Sequence, residues 1–176
     1  MRFLKLAFIS FIFLFLLVTG MSLFIPSHIR ISKAINIKAD KDSIMAPIRN
    51  AAKWKTWYPG LDTAKFLVEE GKVNGVVLND NDPTHPVYIS ITKKEQDEVT
   101  AQFISKSLKP VTNVWKTISY STSDSITLQW YMDFHLRWYP WEKFGSLLLE
   151  KSYGTKMEIG LMNLKKLAEA DRVTNK

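Results

Sequence analysis

The chain has 176 residues, enough for one domain and an appendage. It contains no cysteine, which excludes disulfides, thiolate catalysis and cysteine-based zinc sites. The net charge is +7, but the basic residues are scattered, a pattern typical of a solvated surface with at most weak attraction to anionic lipid headgroups. No basic stripe or nucleic-acid-binding motif is present, so we expect no nucleic-acid partner.

An apolar segment near the amino terminus is the first predicted element. Residues 6–25 carry no charge, and a helix of this length is about 30 Å long, enough to cross the hydrocarbon core of a bilayer. We interpret residues 1–25 as a retained single-pass signal anchor. The alternative is a cleaved signal peptide, for which Val18-Thr19-Gly20 is a poor cleavage site.

The charges that flank the segment bear on its orientation. Arg2 and Lys5 precede it and favour a cytoplasmic amino terminus, whereas Arg30 and Lys33 follow it closely. We expect a membrane location with the globular domain on the extracytoplasmic side.

Residues 26–30 are predicted to be a linker and residues 31–172 a single domain. A first strand is expected from Ile31 to Ala39, followed by Asp40 as the cap of a short helix. Pro47 is predicted to end that helix. A second helix is expected to begin near Arg49 and to stop at the breaker Trp57-Tyr58-Pro59-Gly60.

Strands with short turns follow, and the last of them has the clearest pattern. Apolar residues fall at every second position from 126 to 136, which indicates a strand with one face on a core. The first turn is expected near Gly71-Lys72 or, alternatively, at Asn74-Gly75. The predicted strands after the first cover residues 63–70, 76–78, 86–93, 99–103, 111–121 and 125–136.

The period then changes to that of a long carboxy-terminal helix, with Met157, Leu161, Leu164 and Ala168 on one stripe. Gly154 interrupts the helical pattern, either as a plain kink or as the hinge of a lid. Together, the predicted helices and strands indicate an α+β fold. In this fold, an antiparallel sheet of about six or seven strands wraps around the last helix, and two short helices follow the first strand.

Three segments in this order resemble the START-like, or SRPBCC, helix-grip superfamily in its polyketide cyclase/dehydrase-like branch. The resemblance covers about residues 31–170. The segments are Ile35 to Ala39 with Trp54 to Pro59, Gln129 to Pro140, and Gly160 to Glu169 with its "GL..LK...E" pattern.

The resemblance implies a curved sheet, a cavity beneath the last helix, and an apolar small molecule or lipid as ligand. No catalytic residue can be carried over from the family, because it has no single catalytic motif. We expect no cofactor. The remaining hypotheses are a cyclase- or hydratase-like enzyme acting on an apolar substrate, and a ligand-sensing stress-response module.

Candidate cavity residues are the apolar ones on the expected inner faces, each of which is also compatible with ordinary core packing. The facing of Trp115 depends on whether Lys109-Pro110 shifts the strand register. The candidates are Val99, Ala101, Phe103, Trp115, Leu128, Trp130, Met132, Phe134, Met157, Leu161 and Leu164.

Polar candidates are weaker. Tyr131, Asp133 and His135 alternate with the apolar residues of the last strand and should point outward. Asp80, Asp82 and Thr84 begin like a calcium loop, but glycine and glutamate are missing at the later ligand positions. We predict no metal site.

Overall fold

The computed structural model describes residues 2–79, 86–106, 108–120 and 124–174. Its centre is a seven-stranded sheet in which every neighbouring pair is antiparallel, in the order β1-β7-β6-β5-β4-β3-β2. The strands are β1 (His28–Ile37), β2 (Lys65–Glu69), β3 (Lys72–Asn79), β4 (Val87–Lys94), β5 (Glu98–Ile104), β6 (Val111–Ser119) and β7 (Ile126–His135).

Five α-helices accompany the sheet, and α5 lies against its inner face, in contact with β1, β7, α2 and α3. The fold is therefore the α+β helix grip that the sequence predicts. The helices are α1 (Arg2–Ser22), α2 (Lys41–Arg49), α3 (Trp54–Trp57), α4 (Pro140–Gly145) and α5 (Thr155–Thr174), with 3-10 turns at Ala51–Lys53 and Ser146–Leu148 and a π-helical turn at Glu150–Gly154.

The alternating pattern of β7 places its apolar residues on the core, as predicted. Trp130 lies opposite Trp115 of β6, and Met132 lies opposite Asn113, so these side chains share the inner face. The stripe on α5 that packs over them consists of Met157, Leu161, Leu164 and Ala168, all buried. Burial of this shared apolar surface is the main stabilising term of the fold.

Strand β1 begins at His28, within the segment expected to be a linker, and ends at Ile37 rather than Ala39. Its ten residues pair with β7 from His28 opposite His135 to Ile37 opposite Ile126. The amide of Leu136 also donates to the carbonyl of Ser27, at 2.7 Å. Because β1 pairs with the full length of β7, it begins closer to α1 than its own residue pattern predicts.

Helix α2 runs through Pro47, whereas the sequence predicts that it ends there. Asp40 caps its start as expected, accepting hydrogen bonds from the amide and hydroxyl of Ser43. Proline here falls in the last turn, where it removes only one hydrogen bond before the helix ends at Arg49.

The hairpin between β2 and β3 turns at Glu70 and Gly71, which have φ angles of 49° and 75°. Two positive φ angles match the right-handed twist of the flanking strands. Asn74-Gly75, the alternative turn, lies inside β3. A Cβ atom on Gly75 would lie only 2.0 Å from the carbonyl oxygen of Ile89, so the pairing with β4 requires glycine.

Gly154 does not break the helical path. It closes the π-helical turn and leads directly into α5. A Cβ atom there would lie 3.1 Å from Cε of Lys33 on β1, so the glycine permits close packing of this turn on the sheet edge.

Helix α1 has an apolar 18-residue window with a mean hydropathy of 2.3, none of it buried against the rest of the chain. It is long and apolar enough to span a membrane, a property that a signal sequence shares.

Candidate ligand cavity

A cavity of about 250 Å³ lies between the inner face of the sheet, the loop after α3 and the start of α5. This is slightly below the roughly 300–1,000 Å³ of typical small-molecule sites. Most of the lining is apolar or aromatic. The lining residues are Tyr58, Pro59, Gly60, Leu61, Leu78, Val87, Ile89, Phe103, Trp130, Met132, Tyr153, Lys156 and Met157.

Four of the eleven candidates from the sequence line this cavity: Phe103, Trp130, Met132 and Met157. The others lie in the surrounding core, and Leu161 also borders a second, shallower depression beside Ala34 and Met162. The core members are Val99, Ala101, Trp115, Leu128, Phe134, Leu161 and Leu164, each at most 1% exposed. A role for any of the eleven in ligand binding stays a prediction.

An aromatic cluster of Trp54, Trp57, Tyr58, Trp115 and Trp130 fills the middle of the inner face. The rings of Trp115 and Trp130 are 5.3 Å apart, and that of Tyr58 is 5.0 Å from that of Trp130. The indoles of Trp54 and Trp57 donate to the carbonyls of Ile48 and Pro47, which fixes α3 on α2. Because the middle is solid, the cavity is confined to one end of the space beneath α5.

Three buried side chains near the cavity lack a hydrogen-bond partner among the described residues. They are the amide of Asn113 and the indole N–H groups of Trp115 and Trp130. Asn113 lies on the inner face between Ala101 of β5 and the cavity residue Met132 of β7. A buried polar group without a partner costs about 1–3 kcal/mol, so these groups call for an explanation.

Two tyrosines and one lysine are the ionisable groups in the described lining of the cavity. Burial raises the pKa of both Tyr58 and Tyr153, with a smaller contribution to Tyr58 from Tyr153 itself. Both phenols therefore remain neutral hydrogen-bonding groups near pH 7. Lys156 is exposed at the rim.

An ion-pair clamp positions the π-helical turn that carries Tyr153. Lys33 of β1 contacts Glu150 at 2.7 Å and Glu158 at 2.9 Å. Hydrogen bonds to these carboxylates, led by Glu150, raise the pKa of Lys33 to about 12, so the clamp is charged at neutral pH. It joins the sheet edge to the elements on both sides of Gly154.

The outward-pointing residues of β7 form a polar cluster on the other face of the sheet. Asp133 accepts two hydrogen bonds of 2.7 Å from the guanidinium of Arg30, and it lies 3.3 Å from Nε2 of His28. The bonds to Arg30 hold the pKa of the carboxyl below its ordinary value of 3.8. The ring of His28 stacks on that of His135 at 4.7 Å. These groups tie β1 to β7 and do not reach the cavity.

No group of three or more metal-ligating side chains occurs within the described residues. The calcium-like positions Asp80, Asp82 and Thr84, together with His85, lie outside the described ranges.

Several lining residues are absent from the candidates derived from sequence. Ile89 follows the alternation of β4, so the strand pattern contained the signal for it. Tyr58, Pro59 and Gly60 have a strong local signal, but it predicts only a turn. The turn closes one end of the cavity because α2 and α3 pack against the sheet, which the local sequence signal does not show.

Comparison with known proteins agrees with this architecture. Residues 28–169 match the family model described as polyketide cyclase / dehydrase and lipid transport. A search of curated protein sequences found no match.

Solved structures share the fold at low sequence identity. The di-domain ARO/CYC StfQ from the steffimycin biosynthetic pathway is 14% identical, with a TM-score of 0.63 over 82% of this chain and 52% of that chain. A START superfamily protein from Mycobacterium smegmatis is 14% identical, with a TM-score of 0.57 over 80% of this chain and 97% of that chain. A norcoclaurine synthase from Thalictrum flavum is 12% identical, with a TM-score of 0.59 over 82% and 96%.

This chain spans about half the length of the two di-domain structures, StfQ and BexL, that it matches. Its helix-grip domain corresponds to most of the length of the START protein and of the synthase. The family model covers most of the sequence, and the chain therefore belongs to the polyketide cyclase / dehydrase and lipid transport family.

Proposed function

We propose that this chain is a membrane-anchored domain that binds an apolar small molecule, or part of a lipid, in the cavity beneath α5. The observation that carries the proposal is the mostly apolar cavity of about 250 Å³ lined by Trp130, Met132 and Met157. Methionine side chains adapt to ligands of different shape, and burial of apolar surface contributes about 25 cal/mol per Å².

The size of the cavity limits the guest. At about 30 Å³ per water molecule in the liquid, the space equals roughly eight waters. A small ring compound would be enclosed, whereas a lipid would place only a segment of its chain inside.

The polar groups around the cavity support a guest with one oxygen function. The phenols of Tyr58 and Tyr153 are neutral donors or acceptors, and the indole N–H of Trp130 has no hydrogen-bond partner among the described residues. A carbonyl or hydroxyl group on an otherwise apolar molecule fits this lining.

A cyclase- or hydratase-like activity is the second candidate, since the same tyrosines and the rim residue Lys156 are the ionisable groups within reach of a guest. It is less favoured, because burial keeps both phenols protonated and makes them poor bases at neutral pH.

The proposal for α1 is that it is retained as a single-pass anchor, with the domain on the extracytoplasmic side. Its length and hydropathy support a span. The intact mass of the purified chain tests retention, because cleavage near Gly20 would remove most of the helix.

Binding is tested by filling the cavity. Val87→Phe adds a ring to the lining, whereas Val68→Phe makes the same change at a 58% exposed position on β2 that does not line the cavity. Full-length variants are purified from membranes into nanodiscs of synthetic lipid, extracted with organic solvent and compared by mass spectrometry. We expect wild type and Val68→Phe to carry the same apolar compound and Val87→Phe to carry at least about tenfold less, a difference of about 1.4 kcal/mol.

Extracts that do not differ between Val87→Phe and Val68→Phe would count against the cavity as a binding site. An extract from the wild type identical to that of empty nanodiscs would have the same consequence.

A further inference from the structure

An exposed apolar surface lies beside the end of α1. Trp138, Trp141, Leu147 and Leu148 are 62%, 66%, 67% and 63% exposed, respectively. We refer to these four residues as the α4 face. Soluble domains rarely expose such residues side by side unless they contact a partner or a membrane.

Three residues of the α4 face belong to a short helical segment that also carries buried residues, and the fourth, Trp138, precedes this segment. Pro140, Lys143 and Ser146 are buried, whereas Trp141 and Leu148 lie two turns apart on the exposed side. The ring of Trp141 stacks on that of Tyr139 at 4.8 Å, which orders the aromatic end of the face.

Buried Lys143 fixes this segment to the chain that leaves α1. Its Nζ donates to the carbonyl of Ile25 at 2.8 Å and to the hydroxyl of Ser27 at 2.7 Å. Helices α1 and α4 are also in contact. The α4 face is therefore held beside the carboxyl-terminal end of α1, and it lies close to any bilayer that α1 crosses.

The residue composition of the α4 face and its continuity with the apolar surface of α1 indicate what covers this face. Tryptophan and tyrosine are enriched where a protein meets the membrane–water interface, and leucine inserts below them. Leu23 and Phe24, between α1 and β1, are 71% and 91% exposed, so the apolar surface of α1 continues toward the domain. We infer that the α4 face docks on the lipid headgroup region and holds the helix-grip domain directly on the bilayer surface.

Docking would also place the cavity near the membrane. The π-helical turn Glu150–Gly154 follows the α4 face along the chain, and its Tyr153 lines the cavity. The inference rests on the proposed span of α1, but it does not depend on ligand binding.

The absence of cysteine allows a direct test with single-cysteine variants of the full chain. Trp141→Cys and Leu147→Cys report on the α4 face, and Phe13→Cys reports on α1. Val68→Cys is the matched control, an exposed apolar site on β2 at the sheet edge opposite β1. Each variant is labelled with the fluorophore NBD and reconstituted in phosphatidylcholine nanodiscs, with or without lipid that carries a doxyl quencher. The quencher is placed near the headgroup for positions 68, 141 and 147, and near the end of the acyl chain for position 13, which lies in the middle of α1.

Interfacial segments are buried about 5–10 Å into the headgroup boundary, so we expect doxyl lipid to lower emission roughly twofold or more at positions 141 and 147 but not at 68. Quenching at 13 without quenching at 141 and 147 would overturn the docking and leave the anchor intact. Absence of quenching at 13 would overturn both. Emission at 147 that is blue-shifted but insensitive to doxyl lipid would show that protein covers the face, which also overturns the inference.

Discussion

Asn113 is the residue whose burial is hardest to reconcile with packing alone. It is 0% exposed on the inner face of β6, and neither its amide nitrogen nor its oxygen has a partner among the described residues. An amide in such a place lowers stability unless a water molecule or a guest pairs with it. It is paired across the sheet with the cavity residue Met132 but is not itself among the lining residues.

Asn113→Val removes the amide and introduces a residue that favours strands. We expect the ligand-free protein to gain about 1–3 kcal/mol in unfolding free energy, because an unpaired polar group leaves the core. Thermal unfolding of the full chain in nanodiscs, followed by tryptophan fluorescence, measures this gain.

Asn36→Val is the matched control on β1, where the side chain is exposed and accepts a hydrogen bond of 2.8 Å from Thr127. It should leave stability nearly unchanged or slightly lower. A loss of stability in Asn113→Val as large as the expected gain would mean that the amide is hydrogen-bonded in the working protein.

At the scale of whole elements, the close contact between α5 and the sheet depends on one small residue, Gly160. A Cβ atom on Gly160 would lie 2.8 Å from Cζ3 of Trp130 and 3.2 Å from Cδ of Pro59. The indole is rigid and is packed against Tyr58 and Trp115, so it cannot move aside freely. Glycine here sets how closely the helix approaches the cavity wall.

Gly160→Ala should therefore destabilise the domain by about 1–3 kcal/mol through overpacking, although alanine favours helices over glycine. The same change at Gly145, whose added Cβ would meet nothing within 4 Å, should instead be neutral or stabilising by up to about 1 kcal/mol. Thermal unfolding and the near-ultraviolet circular dichroism of the tryptophan cluster measure the contrast. Equal effects at the two positions would argue against close packing of α5 on Trp130.

At the scale of the whole molecule, the orientation of the proposed membrane span α1 determines on which side of the membrane the cavity lies. Arg2 and Lys5 lie at the start of α1, before its uncharged stretch, while Arg30 and Lys33 follow α1 in β1. Arg30 pairs with Asp133, and Lys33 pairs with Glu150 and Glu158. The positive-inside rule depends on lysine and arginine and little on acidic residues, so Arg2 and Lys5 favour a cytoplasmic amino terminus while Arg30 and Lys33 count against it. The proposed orientation follows the amino-terminal pair.

We expect alkaline phosphatase fused after Lys176 to be active in a bacterial host and a green fluorescent protein fusion at the same site to be dark. Replacement of both Arg2 and Lys5 by alanine should reduce phosphatase activity, because it removes the positive charge that retains the amino terminus. A fluorescent, phosphatase-inactive pair of fusions would place the domain in the cytoplasm.

Local patterns were sufficient for several elements. The alternation along β7, the stripe from Met157 to Ala168, the cap at Asp40 and the apolar character of α1 each follow from residues close together in the chain. Periodicity and capping are local properties, so the sequence by itself determined the fold class and a helix able to span a membrane.

Only the tertiary structure decided which inner-face residues enclose empty space. Trp115 and Leu128 follow the same pattern as Trp130 and Met132, yet they are packed into the core while the latter pair lines the cavity. The loop from Tyr58 to Gly60, Tyr153 after the π-helical turn and the buried Lys143 acquire their roles through contacts between segments far apart in sequence. A cavity is space that several packed elements leave unfilled, so no single segment of the chain determines which residues line it.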